Sequence, residues 1–112
     1  MSTSQLHELS ILEASHLIAS KSLSPVELVN AHISRVEAID HKLNSFITFT
    51  ADEALKQAKD AERAINSGNL VGPMHGIPIG LKDLFYTKGV LTTSGTKVMD
   101  TFVPEVVSTP FV

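Results

Sequence analysis

The 112-residue sequence contains no cysteine, which excludes a disulfide framework, a thiolate metal site and a catalytic thiol. It also lacks a basic excess. Nine Lys and Arg stand against twelve Asp and Glu, a net charge of −3, so there is no cationic footprint for nucleic acid and no polybasic patch for a membrane surface. No run of about 18 apolar residues occurs, as a membrane helix needs, and the polar stretch Met1–Glu8 lacks the basic start and apolar core of a signal peptide. A cytoplasmic location is expected. The phosphate-cradling patterns G-x-x-x-x-G-K-[ST] and G-x-G-x-x-G are both missing, which removes the usual support for nucleotide binding.

Glycine and proline are scarce in one half of the chain and concentrated in the other. Residues 70–112 hold five of the six glycines and four of the five prolines, whereas residues 1–69 hold most of the charge. A helical composition therefore gives way near Gly68 to a strand-and-loop composition. The expected organisation is an N-terminal helical region with one short strand over 1–69, then a Gly/Pro-rich strand and loop region over 70–112.

Three helices are predicted, each opened by a capping box: Ser10 with Glu13, Ser24 with Glu27, and Thr50 with Glu53. Pro25 strengthens the second, because the first helical position has no use for an amide hydrogen. Helix one, about 11–20, presents Ile11, Ala14, Leu17 and Ile18 on one side, and helix two, about 25–41, presents Val26, Val29, Ile33 and Val36. Helix three, about 51–66, carries a narrow stripe of Ala51, Ala54, Ala58, Ala61 and Ile65, which permits close approach to a neighbour. Gly68 sits where a left-handed C-terminal cap belongs. Ser45–Phe49, rich in β-branched and aromatic residues, reads as a short strand.

A second strand is predicted over Ile77–Asp83. Alternation puts Ile77, Ile79 and Leu81 on a core face and Pro78, Gly80 and Lys82 on the other. That second face has almost no side-chain bulk ahead of Lys82, so the lysine can point into open space. Asp83 alternates away from Lys82 and is not automatically its ion-pair partner. A lysine that acts as a base must be neutral part of the time, which requires desolvation or nearby cations. A low-charge, apolar approach provides such a setting, against the ordinary alternative of an exposed lysine that merely closes a strand.

Other constellations carry less. His7, His16, His32, His41 and His75 show no close ligand spacing of the H-E-x-x-H kind, so no metal is expected. Ser94-Gly95-Thr96-Lys97 spells the S-x-x-K of serine acyltransferases, but that motif must begin a helix, and this stretch has no helical signal.

Gly72-Pro73-Met74-His75-Gly76-Ile77-Pro78-Ile79-Gly80-Leu81-Lys82-Asp83, followed by Gly89 and Thr92-Thr93-Ser94-Gly95-Thr96, closely resembles the N-terminal motif block of the amidase signature family. Upstream, Ser24-Pro25-Val26-Glu27-Leu28, Asn44-Ser45-Phe46 and the alanine-rich helix follow in that family's order. The resemblance runs from about Leu9 to Pro104. It implies an α/β fold, with a large mixed sheet sandwiched by helices, and hydrolysis of a small amide substrate by a serine, cis-serine, lysine triad without a cofactor. Lys82 takes the lysine position, as the base that draws a proton from the nucleophilic serine through the bridging serine. Both serines belong to a Gly/Ser-rich segment that lies downstream in the family and does not occur before Val112; Ser94 matches a different family position. The expectation is thus an N-terminal piece of an amidase, inactive alone. Two alternatives stand beside it: a piece of the glutamine-hydrolysing A subunit of a tRNA-dependent amidotransferase, and a non-catalytic helical interaction module.

Overall fold

The structure is a computed structural model that describes residues 3–108. A 3-10 helix, Thr3–Glu8, precedes three α-helices: α1 (Ile11–Ala19), α2 (Pro25–Leu43) and α3 (Ala51–Asn66). The chain divides into two compact units. One comprises the residues up to Ser45 together with Thr50–Pro78; the other comprises Phe46–Phe49 and the residues from Ile79 onward.

The helix ends of the first unit follow from local chemistry. At α1 the Ser10 hydroxyl accepts from the Glu13 N–H (3.2 Å), while the Ser10 N–H donates to Glu13 Oε2 (2.8 Å), a reciprocal pair that satisfies two otherwise orphaned amides. At α2 Ser24 Oγ accepts from the Val26 N–H (3.0 Å), and the Ser24 N–H donates to Glu27 Oε2 (3.1 Å). The same Ser24 hydroxyl donates to Glu62 of α3, so one cap also fastens two helices. α3 ends in a Schellman motif: Gly68, at φ +85°, donates to the Ile65 carbonyl (3.0 Å), and Asn69 donates to that of Ala64 (2.8 Å).

The third capping box does not form. Thr50 lies at φ −100°, ψ 51° and makes no side-chain cap bond, because outside the extended region its hydroxyl is not aimed at the first-turn amides. Glu53 instead accepts from Gln57 Nε2 at 3.0 Å.

The core of this unit joins Leu6, Ala14, Ile18, Leu23, Leu28, Ala31 and Ile65, with Leu9, Leu17 and Ile77 packed on it. The alanine stripe of α3 is in place, with Ala58, Ala61 and Ile65 buried. α2 differs from the single stripe read from the sequence. Both α3 and the 3-10 helix pack on it, so its buried arc widens to take in Leu28 and Ala31 as well as Val29. Ile11, assigned to the buried side of α1, is 58% exposed at the first position of that helix.

The predicted strands at Ser45–Phe49 and Ile77–Asp83 are not strands, and no strand occurs among the described residues. The physical reason is the absence of a partner. A strand exists only as part of a ladder that pairs its backbone groups, and no neighbouring segment offers one here. The described chain is therefore helical, and the mixed sheet of an α/β fold is not formed within it. For the same reason the anticipated core face is uncovered: Ile79 is 66% and Leu81 40% exposed.

Candidate active site

The segment that leads to Lys82 starts in the first unit. Two turns, with His75 N–H on the Gly72 carbonyl and Ile77 N–H on the Met74 carbonyl (both 3.1 Å), bring Gly76 against α2. Gly76 adopts φ +88°, and a Cβ there would lie 2.7 Å from Pro25 Cγ and 3.6 Å from Ile18 Cδ1. Only glycine meets both demands, a left-handed backbone and contact at that range. His75 Nδ1 accepts from the Val71 N–H (3.2 Å) and so braces this turn.

In the second unit Lys82 is exposed. Among the described residues its ammonium has no hydrogen-bond or ion-pair partner. A Cβ on Gly80 would meet nothing within 4 Å, so the bare approach expected ahead of the lysine is present. The lysine's backbone, by contrast, is held. Its carbonyl accepts from the N–H groups of Leu84 (2.7 Å) and Phe85 (3.1 Å), which forms a tight turn immediately after it.

Asp83 does not pair with Lys82. Its carboxylate accepts from the Thr93 N–H (2.9 Å), the Thr93 hydroxyl and the Gly95 N–H (3.4 Å), while its main-chain carbonyl accepts from the Ser94 N–H (2.8 Å). Thr92 and Thr93 are buried, at 2% and 7% exposed. Ser94 and Gly95 take positive φ, 52° and 68°, so Ser94 belongs to a turn rather than heading a helix as the acyltransferase spelling requires. The rest of this unit is stitched by antiparallel contacts: Ser108 N–H to the Tyr86 carbonyl (2.9 Å), Gly89 N–H to that of Pro104 (3.0 Å) and Thr92 N–H to that of Phe102 (2.9 Å). The Tyr86 and Phe102 rings lie 5.2 Å apart. Thr48 Oγ1 donates to the Leu91 carbonyl (3.4 Å), which attaches the 46–49 segment to this unit.

The Thr93 hydroxyl, with the Thr93 and Gly95 amides, holds the Asp83 carboxyl below the usual carboxylate range despite partial burial. A carboxylate whose folded pKa is lowered contributes stability in full above its unfolded value of about 4 and loses it as the pH falls through the folded value. The Thr93 and Gly95 amide resonances of the 112-residue chain are expected to hold their positions from pH 7 to about 4 and to move together below that. An Asp83→Asn chain should show no such transition; joint movement between pH 5 and 6 would contradict the carboxylate's role.

The histidines are dispersed. His16 and His41 are exposed, and His7 Nε2 lies 3.9 Å from Glu8 Oε1. Burial, with the His7 charge second, pushes the His32 imidazole down from its ordinary value. Among the described residues no group of three or more His, Cys, Asp or Glu could hold a metal, and no helix is long and apolar enough to cross a membrane.

A glycine turn docked on α2 and an exposed lysine whose carbonyl is held thus lie in one continuous motif block that follows the three helices. The amidase family model matches residues 27–110, and the chain belongs to the amidase signature family. Among curated proteins it is 49% identical over 104 residues to the A subunit of glutamyl-tRNA(Gln) amidotransferase from Rhodospirillum rubrum, an alignment that covers 93% of this chain and 20% of that protein. It is 46% identical over 107 residues to the same-named protein of Wolbachia pipientis wMel (94% and 22%). With that of Geobacter sp. (strain M21) the identity is 42% over 100 residues (89% and 20%). The chain spans about a fifth of the length of these relatives.

The sequence singles out Lys82 but neither the docking of Gly76 on Pro25 nor the grip of Asp83 on Thr93 and Gly95. The signal was available in part, because a Ser-Gly pair after two threonines is turn chemistry. Its partner ten residues upstream was not legible.

Proposed function

We propose that these residues supply the lysine-bearing N-terminal part of an amide hydrolase, with Lys82 as the base of a serine, cis-serine, lysine triad. The observation that carries this reading is the exposed, unpartnered Lys82 on a backbone fixed on its C-terminal side, at the family's lysine position. In the proposed reaction the serine hydroxyl attacks the amide carbon as its proton passes, through the bridging serine, to the Lys82 amine. The lysine returns that proton to the leaving amine, and water then hydrolyses the acyl-enzyme. Backbone amides would stabilise the oxyanion. In this reading the two serines and the mixed sheet are completed by residues other than 1–112. The uncovered Ile79 and Leu81 support that reading, since such a sheet would give them a surface to pack on.

The names of the relatives are consistent with a second, narrower reading, in which the full protein is the glutamine-hydrolysing A subunit of a tRNA-dependent amidotransferase. Protein partners would then handle the tRNA, in keeping with the net charge of −3. Co-purification of the full gene product with a tRNA-binding partner protein would support it.

The purified 112-residue chain is expected to show no hydrolysis of glutamine or of a simple amide. Turnover that Lys82→Ala abolishes would overturn the division of the triad between this segment and the rest.

A further inference from the structure

We propose that Asp83 is a positioning residue for Lys82, fixing the lysine's backbone by clamping the peptide that follows it to the Thr93–Gly95 turn. This rests on the reading of Lys82 as the base.

The geometry supports a mechanical link. Nothing among the described residues holds the Lys82 ammonium itself, so where the Cα sits and how the chain leaves it set the region that its flexible stem can reach. The lysine carbonyl is taken by Leu84 and Phe85, and the next residue makes four bonds to one turn: three to its carboxylate, from Thr93 N–H, Thr93 Oγ1 and Gly95 N–H, and one to its carbonyl, from Ser94 N–H. The receiving turn is itself stiffened. Thr93 Oγ1 also accepts from Gly95 N–H (3.1 Å), and Thr96 Oγ1 donates to the Thr93 carbonyl (3.2 Å) while accepting from Met99 N–H (3.3 Å). Thr93 is buried while Ser94, Gly95 and Thr96 are exposed, so the carboxylate is anchored at the buried end of the turn. Charge-assisted bonds of this type are stronger than neutral ones. Because reacting groups must meet within a narrow range, a displacement of about 1 Å can reduce a rate by about a hundredfold.

The test uses a full-length amidase in which this chain replaces the aligned segment of the Rhodospirillum rubrum relative, with glutamine as substrate and kcat referred to titrated active sites. Asp83→Asn is expected to lower kcat by about ten- to a hundredfold with KM within about twofold, and to leave the acid limb of the pH profile in place. Thr93→Val removes the clamp's hydroxyl with less risk to folding. It should lower kcat in the same way, Thr93→Ser should restore it, and the Asp83→Asn/Thr93→Val pair should lose little more than Asp83→Asn alone. A purely structural role would reduce the fraction of active protein and leave kcat per site unchanged, which would overturn the proposal. A shifted acid limb would also overturn it, since Asp83 would then act through its charge. Lys82→Ala in the same protein separates the two ideas. If it stays active, the base assignment fails; if it is inactive while the Asp83 and Thr93 variants match the parent, only the positioning role fails.

Discussion

Replacing Gly76 by alanine is expected to destabilise the helical unit by about 2–5 kcal/mol, the sum of about 1–2 for a left-handed alanine and about 1–3 for overpacking. Two separate features of the site add here. Gly76 sits at φ +88°, and its new methyl would lie 2.7 Å from Pro25 Cγ and 3.1 Å from Pro25 Cβ. The proline ring cannot rotate away, because it opens α2 and is itself buried. Ile18 Cδ1, at 3.6 Å, would be in ordinary contact, so the collision is with the proline ring. Against a typical total stability of about 5–15 kcal/mol the loss is large.

Two other glycines separate strain from collision. Gly68 has φ +85° with open space around its missing Cβ, and Gly72 has open space and no positive φ. Gly68→Ala should therefore lose about 1 kcal/mol from backbone strain alone, and Gly72→Ala almost nothing. Denaturant unfolding of the three variants should rank them 76, 68, 72. Equal losses at 76 and 68 would mean that the glycine turn is not held against Pro25.

The parts legible in the sequence are those decided within a turn or two of chain. Ser10, Ser24 with Pro25, and Gly68 each announce a helix end through a neighbour no more than four residues away, and the structure places those ends within a few residues of expectation. The 3-10 helix at Thr3–Glu8 has no comparable signal, though it contributes Leu6 to the core. Thr50 shows the limit of the local rule, since the residue type is right for a cap and its backbone is not. Burial of Leu28 and Ala31 depends on which elements lie on either side of α2, which its own periodicity does not record.

Strands failed for the same underlying reason. Ile77–Asp83 has the alternation and composition of a strand, but pairing is a property of two segments, and no described segment pairs with it. The candidate site divides in the same way. Lys82 stands out through its own neighbours, Gly80 and the apolar approach, whereas the Asp83 clamp joins positions ten and twelve residues apart and emerges only from the folded chain.

The largest effect on activity is expected at Lys82. General acid–base catalysis by a positioned side chain contributes about 10²–10⁴-fold, or about 3–5 kcal/mol of transition-state stabilisation. The proposed triad would act as a unit, so loss of Lys82 would leave the serine hydroxyl with its proton and close to inert. Because the ammonium has no partner among the described residues, removing it breaks no contact that holds the described fold, and the substitution should leave the melting temperature nearly unchanged. Loss of activity with retained stability distinguishes a base from a structural lysine. The decisive measurement is glutamine hydrolysis by the Rhodospirillum rubrum relative carrying this chain in place of its aligned segment, with and without Lys82→Ala. An active parent and a variant that melts with it but is at least about a hundredfold slower is the predicted result; a variant within about tenfold of its parent would contradict the assignment of Lys82 as the base.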